Sequence, residues 1–282
     1  MRHMACVLAL LIGSVTLANT QPTFSSRVEG VRVDVLITDS SRRPLRGLTP
    51  QDFVIRDNGV LQEVDIVSFG EISLNVGMAF DLSESVSGER LDQLRAASRS
   101  LTMQLLPGDQ SSLVTFDRVV SLRCPLSRDQ SCTDAALLKA TPNSETALVD
   151  GVFAGITVGE ADIGRSLLMV FSDGLDTASW LTADRVLDSA RRSDVVVYPI
   201  ATKGARPEFL DDLAELTGGR LHEVDRKEDL SGTFRAILDE FRHRYLITYT
   251  PKGVPKDGWH KLEVRVNRPG ARVKARPGYQ GG

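Results

Sequence analysis

Three short segments place oxygen-bearing side chains where apolar runs end. Asp81, Ser83 and Ser85 follow one apolar run and stand at every second position. Asp173 follows a second apolar run, and Thr146 stands at the start of a predicted helix. Side chains two residues apart lie on the same side of an extended segment, so the aspartate and both serines are expected to point the same way. These five side chains form the candidate site.

The chemistry of these groups indicates a cation. Carboxylate and hydroxyl oxygens are hard ligands that suit Mg²⁺, Mn²⁺ or Ca²⁺ and suit zinc or copper poorly. Ligands of open α/β sheets bind at the carboxyl ends of the strands, where Asp81 and Asp173 are expected. Mg²⁺ is the leading candidate because it needs near-octahedral oxygen geometry and readily keeps water ligands. The alternative is structural: Ser83 and Ser85 would cap the next helix, and Asp173 would cap a turn.

The elements that must position these residues alternate between strand and helix over residues 73–241. This pattern predicts an α/β fold with a doubly wound, mostly parallel sheet. Near-continuous apolar runs are typical of strands that are buried on both faces. The predicted strands are Leu74–Phe80, Ser111–Phe116, Ser166–Phe171, Asp194–Ile200 and Arg220–Val224, and the predicted helices are Gly88–Leu106, Thr146–Val158, Thr182–Arg192, Pro207–Thr217 and Leu230–Phe241.

Both flanks of this α/β segment, residues 26–72 and 243–282, have the alternating apolar pattern of half-buried strands. Asp57-Asn58-Gly59 is a tight-turn signal between two such strands. We expect both flanks to contribute to one small β-sandwich, with the α/β domain inserted between them. Two separate β modules are the alternative, but each would have too few residues to bury a core easily.

Residues 1–18 are interpreted as a secretory signal peptide. A cationic start precedes an uncharged apolar run, Met4–Ala18, with the small residues Thr16 and Ala18 at cleavage-site spacing. An uncleaved anchor is the alternative. The predicted location is secreted or periplasmic, and in such an oxidising compartment Cys124 and Cys132 are expected to pair rather than remain free thiols.

Composition agrees with a globular protein. Of 282 residues, 41% are hydrophobic and 25% are charged, and 34 Lys and Arg against 37 Asp and Glu give a net charge of −3. A dedicated nucleic-acid binder would carry a basic surplus, so we expect no nucleic-acid partner.

With these motifs, the sequence resembles a von Willebrand factor type A (VWA) domain. Asp81, Ser83, Ser85, Thr146 and Asp173 match that family's metal-ion-dependent adhesion site (MIDAS) in order, and the resemblance covers roughly residues 73–241. It implies that the three hydroxyls bind the cation directly, while the two carboxylates bind directly or through water. The sixth coordination position would stay open for an Asp or Glu carboxylate of a partner protein. The flanks resemble those of VWA-related proteins exported by bacteria.

An enzyme is the main competing interpretation. A phosphatase that uses a strand-end aspartate requires a second carboxylate two residues later, where this chain has Ser83. The sequence contains no nucleophile elbow and no glycine-rich phosphate loop. A structural module with a vestigial metal site is the other alternative. The sequence therefore predicts an exported, non-enzymatic, adhesion-type binding protein.

Overall fold

The structure is a computed structural model that describes residues 30–143, 145–204, 208–225 and 230–282. The predicted signal peptide, residues 1–18, lies outside the described residues. Within the described ranges, no helix has the length and apolar character needed to cross a membrane.

The described chain contains four strands, then an alternating α/β segment, then four more strands. The first four are β1 (Val31–Thr38), β2 (Phe53–Asp57), β3 (Val60–Gln62) and β4 (Ile66–Phe69). The α/β segment comprises β5 (Leu74–Asp81), α1 (Glu89–Thr102), β6 (Gln110–Phe116), β7 (Val120–Ser127), α2 (Ser131–Leu138), α3 (Leu148–Gly159), β8 (Arg165–Ser172), α4 (Ala183–Arg192), β9 (Val196–Thr202), α5 (Glu208–Thr217), β10 (His222–Val224) and α6 (Leu230–Arg242). The last four are β11 (Tyr245–Tyr249), β12 (Gly258–Val266), β13 (Arg272–Lys274) and β14 (Gly278–Gly281).

The central sheet has the strand order β10-β9-β8-β5-β6-β7. All neighbouring strands are parallel except β7, which pairs antiparallel with β6. Every residue of β5 and of β8 is buried, as their continuous apolar runs predict. Met78 and Phe80 face a core that also contains residues of α1 and α6, while Ala79 faces the core that contains residues of α3, α4 and α5. Helices therefore cover both faces of the sheet.

The flanking strands form two antiparallel sheets, ordered β13-β1-β11-β4 and β14-β12-β2-β3. Each sheet combines strands from both ends of the chain, and the two sheets share one apolar core. The expected fold class is confirmed: a doubly wound α/β sheet accompanied by a small β-sandwich built from both flanks.

A buried ion pair connects the sandwich to the α/β unit. Arg165, at the start of β8, donates from Nε to Oδ1 of Asp34 in β1 at 2.8 Å, and the two side chains are only 1% and 8% exposed. The Arg165 guanidinium also donates to the Phe241 carbonyl and lies 4.9 Å from the centre of the Phe241 ring. Removal of either charge would leave the other buried without compensation, which is strongly destabilising.

Several elements differ from the sequence-based expectation. Helix α3 begins at Leu148, so Thr146 lies in the preceding loop rather than at the head of the helix. Strands β13 and β14, strand β7 and helix α2 were not predicted. Strand β7 is an edge strand of the central sheet, and some of its apolar side chains are exposed to solvent (Leu122 is 53% exposed). Because burial does not select its residues, its sequence has no clear hydrophobic periodicity.

Cys124 of β7 and Cys132 of α2 are bonded in a disulfide that closes a loop with a sequence separation of 8. A loop of this length contributes about 2–3 kcal/mol by restricting the unfolded chain. We therefore expect the Cys124→Ser/Cys132→Ser double variant to lose about that much unfolding free energy in urea. Reduction with dithiothreitol should lower the unfolding free energy of the wild type by the same amount as the double substitution, and should leave the double variant unchanged. Equal stability of the two proteins without reductant would contradict the prediction.

Candidate metal centre

Asp81, the last residue of β5, organises the loop that follows it. Its side chain is completely buried. Oδ1 accepts the backbone N–H of Ser83 at 2.8 Å, and Oδ2 accepts the hydroxyl of Ser172 at 2.8 Å. A carboxylate that accepts the N–H two residues later closes an Asx-type turn, and this turn holds the backbone of Ser83 beside the Asp81 carboxylate.

Ser83 and Ser85 are neighbours in space as well as in sequence. Their hydroxyl oxygens lie 3.0 Å apart, with Ser83 buried and Ser85 exposed. The chain then makes a single 3₁₀ turn, Glu84–Val86, for which Ser83 makes no side-chain capping bond. The N-cap of α1 is Gly88, with φ 60°. Neither serine therefore caps the next helix, which was the structural alternative for this pair.

Asp173 comes from the neighbouring strand. Phe80 of β5 pairs with Phe171 of β8, so Ser172 lies level with Asp81 and Asp173 follows one residue later. The Asp173 side chain is half-buried, and its Oδ1 accepts the backbone N–H of Leu175 at 3.2 Å. The register of two adjacent parallel strands thus brings the two predicted carboxylates to the same edge.

The segment before α3 connects these two loops. Asn143 pairs with Ser83 in a parallel bridge and donates its N–H to the Leu82 carbonyl at 2.8 Å. Three residues later, Thr146 donates its N–H to the Thr177 hydroxyl at 2.9 Å and accepts the Thr177 N–H at 2.9 Å. Thr146 is 5% exposed. The loops that carry all five predicted site residues are therefore joined by hydrogen bonds.

The electrostatics of Asp81 favour a positively charged ligand. Burial raises the pKa of this carboxyl from its ordinary value to about 6; hydrogen bonds from Ser83 and Ser172 oppose the shift, and the charge of Asp173 adds to it. A dication next to these carboxylates would reverse the penalty because it stabilises their ionised forms.

A cleft of ≈340 Å³ opens beside the loops, and its lining includes Ser85, Asp173, Glu89 and Thr202. The five predicted donors are all oxygen atoms, as Mg²⁺, Mn²⁺ and Ca²⁺ prefer. Among the residues that the structure describes, no group of three or more His, Cys, Asp or Glu side chains is placed to hold a metal. A centre here therefore depends on hydroxyl ligands.

Sequence reasoning missed Ser172, which supports the site, and did not predict the contacts of Asp150. Ser172 orients Asp81, and its hydroxyl also accepts the Gly174 N–H at 3.1 Å. Asp150 of α3 accepts the N–H groups of Trp180 and Leu181, both at 2.9 Å, and so holds the loop after Asp173. A polar residue ending an otherwise apolar strand was the available signal for Ser172. The role of Asp150 depends on a loop 30 residues away, for which the sequence carried no local signal.

The family model of the von Willebrand factor type A domain matches residues 75–236, more than half of the chain. The chain belongs to this family, as the resemblance predicted, and its α/β unit is a VWA domain.

Known proteins with detectable similarity include a curated relative and several solved structures. Bovine calcium-activated chloride channel regulator 1 is 26% identical over 171 residues, which cover 57% of this chain and 18% of that protein. The present chain therefore spans less than a fifth of that relative's length.

Two solved structures illustrate the shared fold. An aerotolerance-related membrane protein from Bacteroides fragilis superposes with a TM-score of 0.51 at 15% identity, covering 60% of this chain and 98% of that one. Proximal thread matrix protein 1 from the mussel byssus, with a zinc-occupied MIDAS motif, gives a TM-score of 0.52 at 15% identity, covering 64% of this chain and 48% of that one. At such identities the likeness establishes the fold alone.

Proposed function

We propose that this chain is an exported, non-enzymatic adhesion module in which Asp81, Ser83, Ser85, Thr146 and Asp173 hold a divalent cation, in the first place Mg²⁺. When bound, the ion supplies an electrophilic coordination position that accepts an Asp or Glu carboxylate of a partner protein. Mn²⁺ and Ca²⁺ have the same preference for oxygen ligands and are tested alongside it.

The observation that carries this proposal is the 3.0 Å separation of the Ser83 and Ser85 hydroxyl oxygens. Adjacent oxygen ligands of an octahedral Mg²⁺ ion, each about 2.1 Å from the metal, lie about 2.9–3.0 Å apart. The two hydroxyls share a hydrogen bond at this distance, and the same distance equals the spacing of neighbouring ligands. The Asx turn at Asp81 and the bridge to Asn143 hold the Ser83 backbone, so little reorganisation is needed.

The charge of the site supports a role in capturing carboxylates. Of the five predicted ligands, only Asp81 and Asp173 are carboxylates, and both oxygens of Asp81 already accept hydrogen bonds. Three of the five predicted donors are neutral hydroxyls. A dication held in this way keeps much of its charge, which an incoming carboxylate can neutralise.

The hydrolase alternative has less support. The side chain two residues after Asp81 is the Ser83 hydroxyl, which is a poor proton donor near neutral pH. No hydrolysis of phosphate esters or peptides is expected in Mg²⁺ buffer, and metal-dependent turnover that is lost in Asp81→Ala would contradict the non-enzymatic assignment.

Metal binding can be tested with two serines of the same loop. Ser85→Ala should weaken Mg²⁺ binding by at least about tenfold, the loss that even outer-shell partners of metal ligands commonly produce. Ser87→Ala removes another exposed serine that lines the cleft and should bind like the wild type. Isothermal titration calorimetry of EDTA-stripped protein with Mg²⁺, Mn²⁺ and Ca²⁺ measures both. Equal affinities in the two variants, or no binding by the wild type, would contradict the proposed site.

Exposed apolar side chains on the loop that follows Asp173 suggest how a partner is recognised. Trp180 and Leu175 are 95% and 65% exposed, on the loop that Asp150 holds in place. Large aromatic residues on rigid surfaces are frequent hot spots of protein interfaces. We infer that the partner offers an apolar side chain beside its carboxylate.

Trp180→Ser is therefore expected to weaken partner binding by about 30-fold, as a hot-spot truncation of about 2 kcal/mol implies, while Mg²⁺ affinity stays unchanged. Ile163→Ser is the control, because Ile163 is 93% exposed but precedes β8 at the opposite edge of the sheet. Binding of envelope proteins from the parent cell, compared in Mg²⁺ and in EDTA, provides the measurement. Equal Mg²⁺-dependent retention by both variants would exclude Trp180 from the interface.

Export is the remaining part of the proposal. The disulfide between Cys124 and Cys132 supports an oxidising compartment, and the pattern of residues 1–18 supports a signal peptide. N-terminal sequencing of the protein recovered from the secreted or periplasmic fraction is expected to begin after Ala18.

A further inference from the structure

A groove of ≈450 Å³ lies between the sandwich and the α/β unit, far from the metal centre. It is formed by β1 with its following turn, by β13 and by α6. Helix α6 runs back from the carboxyl edge of the central sheet, so its last turn lies at the opposite edge. Four cationic side chains line the groove: Arg42, Arg220, Arg272 and Lys274.

The backbone fixes the positions of three of these cations. Arg272 and Lys274 stand two residues apart on β13 and so lie on one side of that strand. β13 pairs with β1 through Thr38 and Leu36. Arg42 occupies the turn after β1 with φ 64°, a left-handed conformation that costs a non-glycine residue about 1 kcal/mol.

Little negative charge is available to neutralise them. Glu240 accepts the Tyr198 hydroxyl at 2.7 Å and lies 3.7 Å from Arg220 and 3.8 Å from Arg244, so it is already compensated. Asp239, the other acid of the groove, is 71% exposed and lies 3.4 Å from His243. Within the described ranges, Arg42, Arg272 and Lys274 form no ion pair.

A further buried cation, Arg244, lies behind the groove; its Nη2 atom donates to the Gly218 carbonyl at 2.7 Å and lies 3.8 Å from Glu240. Arg244 is completely buried, and within the described part of the chain its Nε and Nη1 atoms have no hydrogen-bond partner. Burial lowers the pKa of Lys274, the nearby charges of Arg220 and Arg244 lower it further, and the charges of Glu240 and Asp211 oppose the shift. Repulsion among these cations is relieved when an anion binds between them.

We propose that this groove binds a tetrahedral oxyanion, phosphate or sulfate, either as the free ion or as the end of an ester. Guanidinium groups offer paired donors that match phosphate and sulfate oxygens, and a lysine adds a compact point charge. Because three unpaired cations exceed what one carboxylate neutralises, a doubly charged oxyanion fits best. The volume leaves space for the organic part of an ester. The proposal does not depend on the metal centre.

Titration calorimetry of the full chain at fixed ionic strength, in EDTA so that no cation can bind the anion, tests the proposal. The ligands are inorganic phosphate, inorganic sulfate, glycerol 3-phosphate and acetate. Lys274→Gln and Arg272→Gln should each weaken oxyanion binding at least about tenfold, as loss of one charge-assisted hydrogen bond implies. Lys252→Gln is the matched control because Lys252 contacts Glu63 on another surface of the sandwich.

Saturable phosphate or sulfate binding that both groove variants weaken and the control retains would support the site. Tighter binding of glycerol 3-phosphate than of phosphate would identify an ester as the ligand, and equal binding would identify the free ion. The proposal is overturned if no oxyanion binds saturably, if all three variants bind equally, or if acetate binds as tightly as phosphate. Arg272→Gln changes an exposed side chain, so a folding defect in Lys274→Gln would leave the test intact.

Discussion

Asp81→Asn is expected to abolish stabilisation by Mg²⁺ and to make the protein more stable than the wild type in EDTA. The opposite signs arise because the same carboxylate is unfavourable without a cation and necessary with one. The Oδ1 atom of the asparagine can still accept the Ser83 N–H that Asp81 accepts. Its amide can donate to the Ser172 hydroxyl, so the loop is expected to keep its conformation.

The gain in EDTA follows from the buried charge. Burial raises the pKa of Asp81 to about 6, and a raised pKa of an acid means that the folded state holds the ionised form unfavourably. The ionised carboxylate therefore lowers the unfolding free energy by up to about 3 kcal/mol at neutral pH. The penalty is present above the folded-state pKa and disappears as the pH falls through the ordinary range of an aspartate. Asp81→Asn removes it at pH 7.

The loss in Mg²⁺ follows from linkage. A cation at one thousand times its dissociation constant stabilises the folded state by about 4.1 kcal/mol, which exceeds the penalty of the buried charge, and only a protein that binds the cation gains this stability. Thermal unfolding of wild type and Asp81→Asn in EDTA and in Mg²⁺ should therefore give stability orders that cross. Asp176→Asn is the control, because Asp176 binds Ser179 in the loop beyond Asp173 and is no predicted ligand. A wild type insensitive to Mg²⁺, or an Asp81→Asn variant that still responds, would refute the metal centre.

The sequence predicted which loops carry the candidate ligands, but not how the chain folds within each loop. The D-x-S-x-S run was expected to be extended, but Ser85 lies in the 3₁₀ turn Glu84–Val86, and this turn places the Ser83 and Ser85 hydroxyls 3.0 Å apart. Asp173 was predictable because parallel strands end at one edge. The contribution of Ser172 was not, because it depends on the register that places Ser172 level with Asp81.

Thr146 marks where sequence reasoning was incomplete. Thr146 was expected to be the first residue of a helix that points at the site, but α3 starts at Leu148. Hydrogen bonds to Thr177, 31 residues away, hold it in place. Contacts between loops that are distant in sequence produce no periodic pattern, so they stay invisible in one sequence.

The fold shows the same division. Strands β5 and β8 were predicted closely because burial on both faces requires continuous apolar residues. Strand β13 covers only Arg272–Lys274 and consists of two cations around one valine, so its sequence has no hydrophobic pattern. Its pairing with β1 supplies the stabilisation instead. The charges that obscure this strand in the sequence are the ones that line the oxyanion groove.

A second large effect is expected in the sandwich, where Asp57 is the centre of a buried polar cluster. Its Oδ2 accepts the hydroxyls of Tyr249 and Tyr279, each at 2.9 Å, and its Oδ1 lies 2.8 Å from Nδ1 of His260. These residues come from β2, β11, β12 and β14, so one side chain joins strands of both sheets. Burial raises the pKa of both tyrosines, which therefore remain protonated donors.

Asp57→Ala is expected to reduce the unfolding free energy by about 3–5 kcal/mol, because it leaves several buried donors without an acceptor. Asp65→Ala is the matched control: Asp65 is exposed and binds only Thr250 through its side chain among the described residues, so its loss should stay within about 0.5 kcal/mol. Tyr249→Phe, which removes one donor and keeps the ring, should cost about 1 kcal/mol.

Urea unfolding followed by tryptophan fluorescence measures all three variants, since Trp259 lies in β12 beside His260. The decisive comparison uses the double variant Asp57→Ala/Tyr249→Phe. Once Tyr249→Phe has removed one donor, Asp57→Ala has fewer groups to leave unpaired, so the double variant should be less destabilised than the sum of the single changes. Additive losses would mean that the two residues act independently. A loss in Asp57→Ala no larger than in Asp65→Ala would mean that the cluster does not hold the two sheets together.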